Sequence, residues 1–225
     1  MRNSYDDPDF LLLRQIVLCG CLLDYSEIIF NETKIYKFST RLHIQNELLD
    51  IVSETRLLGT IISSDLSWWK NTNDLTRKGY QRLEIIRKLY EFNVPIKDLV
   101  LIYTMYVRSI LEFNCRVWHF SLTIAQSEDL ERVQKIACKI ILKDQYISYD
   151  TARYSLNIET LEERRLMLCK RFATNCLKYE KTKNMFPLNT DPKSRHSEKY
   201  QVKFARNSRL LYSAIPQMQR LLNDK

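Results

Sequence analysis

From Ser67 to Tyr179 the chain holds one glycine, Gly79, and one proline, Pro95. Through the same span apolar residues recur at steps of three and four, the spacing of one helix face. With three Gly and five Pro in 225 residues, the chain is too poor in turn residues for an all-β fold with many tight reversals. The expected class is mainly α: a helical bundle, with one small antiparallel β-hairpin near the N-terminus.

The helices follow in order. Leu75, Gly79, Leu83, Ile86 and Tyr90 form an apolar face over Ser67–Phe92, and Arg77, Lys78, Arg82, Arg87 and Lys88 make this helix basic. Asn93-Val94-Pro95 ends it, because the residue before proline is pushed out of the helical region. Ile96 to about Phe113 is apolar around most of its circumference and is expected to be the central buried helix, with Trp118 anchoring its end. Lys97, Asp98, Arg108 and Glu112 interrupt it and argue against a membrane span. Ser121–Ser127 is a polar break with Ser127 as N-cap and Glu128 and Asp129 in the first turn. A helix over 128–143, a short one from Ser148 to about Leu156, and a long one over Glu159–Tyr179 follow. The last carries Leu161, Leu168, Cys169, Phe172 and Cys176 on one side and Arg164, Arg171 and Lys178 on another. Lys181–Lys199, with Pro187 and Pro192, reads as a linker.

Before Ser67 the period changes. Ile35–Leu42 alternates loosely, Leu48–Val52 reads as a return strand after a Gln45-Asn46 turn, and Thr55–Ser63 reads as a further strand. Gly59 within it marks a bulge or a tight packing contact. Residues 1–29 hold the apolar runs Phe10–Leu13 and Ile16–Leu23, expected to be a buried helix. Asp6, Asp7 and Asp9 precede them where a signal peptide needs basic residues, so a cytoplasmic or nuclear chain is expected, not a secreted one.

The helix over 128–143 has the clearest two-sided pattern. Leu130, Val133, Ala137, Ile140 and Ile141 face one way; Arg132, Lys135, Lys139 and Lys143 fall on one stripe away from them. One buried face and one basic face suit a helix that packs inward and meets phosphates outward, though most such stripes are solvated surface. The net charge of +8 and pI of about 9.1 favour an anionic partner, a nucleic acid or an acidic membrane surface. The six cysteines, at 19, 21, 115, 138, 169 and 176, form no C-x2-C pair. Cys115 and His119 lie one helical turn apart without a second pair, so buried reduced thiols are expected and a zinc site is not. Gly-rich phosphate loops, G-x-S-x-G and HExxH motifs are absent from the sequence.

Val107-Arg-Ser-Ile-Leu-Glu-Phe113 with Val117-Trp-His119, then Leu130-Glu-Arg-Val-Gln-Lys-Ile-Ala137, resemble the "VRSILEY…VW" and "LERVQ…A..II" runs that follow the palm in reverse transcriptases of jockey-like non-LTR retrotransposons. Glu54–Leu66 with Trp68 resembles their "ETKLLGT.IS.DL.W" segment, and Tyr200–Asn223 resembles their terminus, where an "SAIP" box precedes a short last helix. The resemblance covers roughly residues 30–223. It implies RNA-directed DNA synthesis for the family, with Mg2+ in the full-length enzyme, and three parts here: a palm-edge remnant with a hairpin (1–66), a helical thumb-like domain (67–180), and a linker with a basic tail (181–225). The family holds its two metal ions with Tyr-x-Asp-Asp. Tyr5-Asp6-Asp7 lacks the spacer, which leaves Asp6 and Asp7 as weak remnant candidates, and two-metal chemistry needs a further carboxylate on an upstream strand. The expectation is a chain that binds no cofactor and does not polymerise alone. It keeps a sequence-independent grip on RNA, DNA or an RNA–DNA duplex through Lys78, Arg82, Arg132, Lys135, Lys139, Lys143, Arg164 and Arg171. The alternative is a helical interaction module that is basic by inheritance only.

Overall fold

The computed structural model describes residues 43–44, 47–48, 52–189, 199–202, 205 and 208–224. The fold is mainly helical, with antiparallel β-hairpins at the N-terminal end of the described chain. The strand expected over Ile35–Leu42 and the helix expected within residues 1–29 lie outside the described residues.

Strands β1 (His43–Ile44) and β2 (Glu47–Leu48) pair antiparallel, with His43 opposite Leu48 and Ile44 opposite Glu47. The run Thr55–Ser63, which its residue pattern reads as a single strand, is a hairpin, the form that the resemblance of Glu54–Leu66 to the last hairpin of the palm implies. Strands β3 (Glu54–Leu57) and β4 (Thr60–Ser63) pair across a two-residue turn, Leu58-Gly59. Both turn residues have positive φ, 47° and 85°, as a type I′ hairpin turn requires. Gly59 is therefore a turn residue rather than a bulge.

The chain folds into two compact units. One comprises residues 69–113 and 122–167; the other comprises the segments up to 68, 114–121 and 168 onward.

In the first unit, α1 (Trp69–Glu91) buries Leu75, Gly79, Leu83 and Ile86, the face its sequence marks. It closes with Asn93 at φ 57°. The Asn93 amide donates to the Tyr90 carbonyl and the Val94 amide to Leu89, the paired bonds of a Schellman cap. Pro95 then starts α2 (Ile96–Ile102), which runs through a π-helical stretch (Tyr103–Arg108) into α3 (Ser109–Leu111). Leu99, Tyr103, Val107 and Leu111 are all fully buried. Residues four apart drift by about 40° per step on an α-helix. The wider π turn rotates the chain back, so these four stay on one side. The opposite side is not buried: Leu101 is 55% and Met105 69% exposed, with Tyr106 at 40%. The expectation of a helix buried all round is corrected to one buried row and one exposed row.

Helix α5 (Ile124–Leu142) crosses the same core with Leu130, Val133, Ala137, Cys138 and Ile141. Its N-cap is Thr123, whose hydroxyl accepts from the Gln126 amide while the Gln126 side chain accepts from the Thr123 amide, a capping box. The expected cap, Ser127, lies within the helix and its hydroxyl accepts from Arg165 at 2.9 Å. Ser148 caps α6 (Tyr149–Leu156), and Asn157 at φ 51° ends it with a second Schellman cap. Helix α7 (Leu161–Cys176) opens with a capping box between Thr160 and Glu163. It passes from the first unit to the second at Met167/Leu168.

Buried polar groups hold this core together as well as apolar contact. Gln134 is fully buried. It accepts from the Tyr103 hydroxyl at 2.6 Å and donates to the Tyr149 hydroxyl and the Glu159 carbonyl, each at 2.8 Å. With these bonds made, its amide is satisfied on both sides.

In the second unit, α4 (Cys115–Trp118) buries Trp118 completely. Cys169, Ala173 and Cys176 of α7 share a core with Phe186, Tyr200, Ala214, Ile215 and Met218. Phe186 lies within the stretch read as a linker, Lys181–Lys199, and Tyr200 directly follows it, yet both belong to this core: that part of the linker reading is corrected. After α8 (Glu180–Lys183) and α9 (Ser208–Leu211), α10 (Ala214–Asn223) carries the "SAIP" segment. Ser213 and Ala214–Pro216 are buried, and Pro216 stands in the first turn, where no intrahelical N–H bond is forfeited. Asn223 accepts from the Tyr200 amide at 2.9 Å and donates to its carbonyl at 3.0 Å. Cys115, Cys138, Cys169 and Cys176 are buried free thiols.

Candidate nucleic-acid interface

The basic stripe of α5 is exposed, and each of its lysines lies over a tyrosine ring. The Lys135 ammonium is 5.3 Å from the Tyr149 centroid, Lys139 is 5.4 Å from Tyr146, and Lys143 is 4.8 Å from Tyr90. Lys143 lies at the helix end, at φ 46°. A cation over a ring face is held by the ring quadrupole, at about 0.5–1 kcal/mol for exposed pairs. Two ammonium groups thus stand on α5 and a third just past its end, each next to a half-buried aromatic ring. The rings hold the ammonium groups in place at the surface, where cations can neutralise phosphates.

Arg132, the fourth member of the stripe, differs: its guanidinium donates to Asp129 at 2.7 Å. Glu131 is engaged within the fold. Its carboxylate accepts from the Tyr149 hydroxyl and from the Leu161 amide at 3.0 Å, so it neutralises the N-terminus of α7. Burial and this carboxylate push the Tyr149 hydroxyl far above its ordinary range. The ring over which Lys135 lies therefore stays a neutral phenol. Burial likewise pushes the neighbouring Cys138 thiol up to about 12.

The other residues expected at the interface are engaged within the fold or lie elsewhere. Lys78 pairs with Asp74 at 2.6 Å. Arg82 lies 4.2 Å from the Tyr106 ring centroid and donates to the Tyr106 carbonyl. Arg164 holds Glu112 through two nitrogens, at 3.1 and 3.4 Å, with Arg108 on the same carboxylate. Arg171 is an exposed residue of the second unit. Asp6 and Asp7 lie outside the described residues. The structure thus gathers Lys135, Lys139 and Lys143, and places Arg164 in an ion-pair cluster.

Tyr90, Tyr146 and Tyr149 are not among the residues expected from sequence. Helical periodicity has no means of finding them: α5 ends at Leu142, so Tyr146 and Tyr149 return beside it only through the turn, and Tyr90 comes from another helix. Residues 168–225 carry thirteen Lys and Arg against four Asp and Glu, which locates most of the positive balance in the C-terminal quarter. Among the described residues there is no group of three or more His, Cys, Asp or Glu placed to hold a metal ion, and no helix long and apolar enough to cross a membrane. Compared with protein-family models, with curated proteins and with solved structures, the chain matches none of them.

Proposed function

We propose that this chain is the C-terminal, thumb-like part of a retrotransposon RNA-directed DNA polymerase and that it grips a nucleic-acid duplex without regard to sequence. The observation that carries the grip is the exposed series Lys135 and Lys139 on α5 and Lys143 at its end, each over a tyrosine ring. The polymerase origin is supported by the ordered sequence segments alone. A row of cations on a rigid helix reads phosphate spacing and duplex shape, not base edges. Affinity for RNA–DNA hybrids of unrelated sequence should therefore agree within a few-fold, and log K should fall linearly with log salt. A strong preference for one sequence contradicts the proposal. Because Tyr5-Asp6-Asp7 lacks the spacer of the metal-holding turn, the purified chain should give no Mg2+-dependent primer extension. Extension that disappears in Asp6→Ala/Asp7→Ala contradicts that part.

A second reading, a helical interaction module, is favoured by one observation: the exposed row of Leu101, Met105 and Tyr106. Singly exposed apolar residues are ordinary, but several on one helix face suit a protein partner. Failure of the folded chain to bind any duplex at low salt favours this reading.

A further inference from the structure

We propose that the pocket between the end of α1 and the end of α5 binds one unpaired nucleotide, base inside and phosphate at Lys143. This rests on the nucleic-acid reading above and adds a specific contact to it. The cavity is about 240 Å³ and is lined by residues that include Tyr90, Asn93, Pro95, Ile141, Leu142 and Gln145. That is below the usual range for drug-sized ligands and leaves room for one planar ring system. Its walls have the chemistry of a base site. Ile141 and Leu142 are buried and apolar, Tyr90 adds an aromatic ring, and Asn93 and Gln145 each offer a carbonyl acceptor and two N–H donors, the groups that pair with base edges. No lining residue is acidic, so an anion meets no repulsion from the walls.

Two features of the surroundings point to a nucleotide. Lys143, last of the lysine row, has its ammonium 4.8 Å from the centroid of the Tyr90 ring that lines the pocket. A strand that follows the row arrives at this mouth, and a base that enters brings its own phosphate beside Lys143. The second is rigidity. Asn93 is fixed at φ 57° by the Schellman bonds of Asn93 to Tyr90 and Val94 to Leu89, so its backbone needs little ordering on binding.

The test uses the full chain and two RNA–DNA duplexes of equal length and charge. Each ends in one unpaired residue, a thymidine in one and an abasic sugar in the other. The thymidine end should bind about tenfold more tightly, the effect of one base–aromatic stack, with equal salt slopes because the phosphates are the same. Tyr90→Ala should abolish the difference. Since Tyr90 is half-buried, Gln145→Ala at an exposed position serves as a second variant; it should cut the preference about threefold, as removal of one hydrogen bond does, with stability unchanged. Equal affinity for both ends, with ordinary duplex binding, overturns the nucleotide site and leaves the functional reading standing. Failure to bind either duplex overturns both.

Discussion

At Gly79 α1 packs tightly against its neighbours. A Cβ built there lies 3.0 Å from Leu111 Cδ2 and 3.0 Å from Val133 Cγ1, both side chains of fully buried residues. Two effects oppose each other in Gly79→Ala. Helix propensity favours alanine by about 1 kcal/mol; overpacking a closed core costs about 1–3 kcal/mol. The methyl meets two walls rather than one flexible chain end, so overpacking wins, and denaturant unfolding should show a net destabilisation of about 1 kcal/mol. Val133→Ala removes one wall. The double variant should therefore be more stable than the sum of the single effects by about 1 kcal/mol, the sign of direct coupling between the two sites. Additive effects contradict this packing. The residue scale is partly legible in the sequence: Gly79 falls on the periodic apolar face, but only the structure says what stands opposite it. Gln134 gives no signal, since a buried glutamine looks like any polar residue until Tyr103, Tyr149 and the Glu159 carbonyl are seen around it.

Element boundaries are legible where chemistry is local and obscure where it depends on a turn. Ser148 caps α6 as expected, and α1 ends at the Asn93-Val94-Pro95 signal. The start of α5 lies earlier than expected because Thr123 and Gln126 form a capping box, while Ser127 serves Arg165. The hairpin at Leu58-Gly59 is hidden because leucine is a poor residue for positive φ, so the pair carries no turn signal. That mismatch gives a prediction. Leu58→Asn supplies the residue the turn prefers and should stabilise the hairpin by about 1 kcal/mol, read as a raised Tm; a lowered Tm would rule out the turn as described. The capping box of α7 gives a pH dependence. The Thr160 hydroxyl first, and its amide second, hold the exposed Glu163 carboxyl below its ordinary value. A carboxyl depressed in the folded state contributes stability above its unfolded pKa, near about 4.3, and loses it as pH falls through the folded value. Protection of the first-turn amides of α7 against hydrogen exchange should fall as pH drops from about 5 toward about 3, after correction for intrinsic rates. In Glu163→Gln this pH step should vanish, and in Thr160→Ala, which keeps the amide bond to Glu163, it should shrink. A step unchanged in Glu163→Gln contradicts the box. The π-helical stretch at Tyr103–Arg108 is beyond the reach of periodicity, since a window rich in Tyr, Met, Val and Ile reads as apolar on every side until the buried row is known.

At the scale of the whole molecule, sequence and structure agree on a mainly helical chain whose basic helix presents a lysine row. The row itself is legible as a periodic stripe. The three rings beneath it are not, because they are brought there by a turn and by a separate helix. Its role as a phosphate-reading surface is the central claim. Lys135, Lys139 and Lys143 each neutralise one phosphate on this account, and removing any one of these cations lowers the salt slope by roughly 0.7 to 0.9. Helix propensity differs little between Lys and Gln, and the apolar face of α5 is untouched, so the folded variant should persist apart from the small cation–ring contributions. Arg132, already on Asp129, should add little. The decisive measurement is duplex affinity over a salt series for the wild type and for Lys135→Gln/Lys139→Gln/Lys143→Gln, with folding checked by denaturant unfolding. A slope lower by about 2 to 2.7 in the folded variant, with Arg132→Gln close to wild type, is the predicted result; coincident curves for a folded triple variant would contradict the claim and leave the row a solvated face.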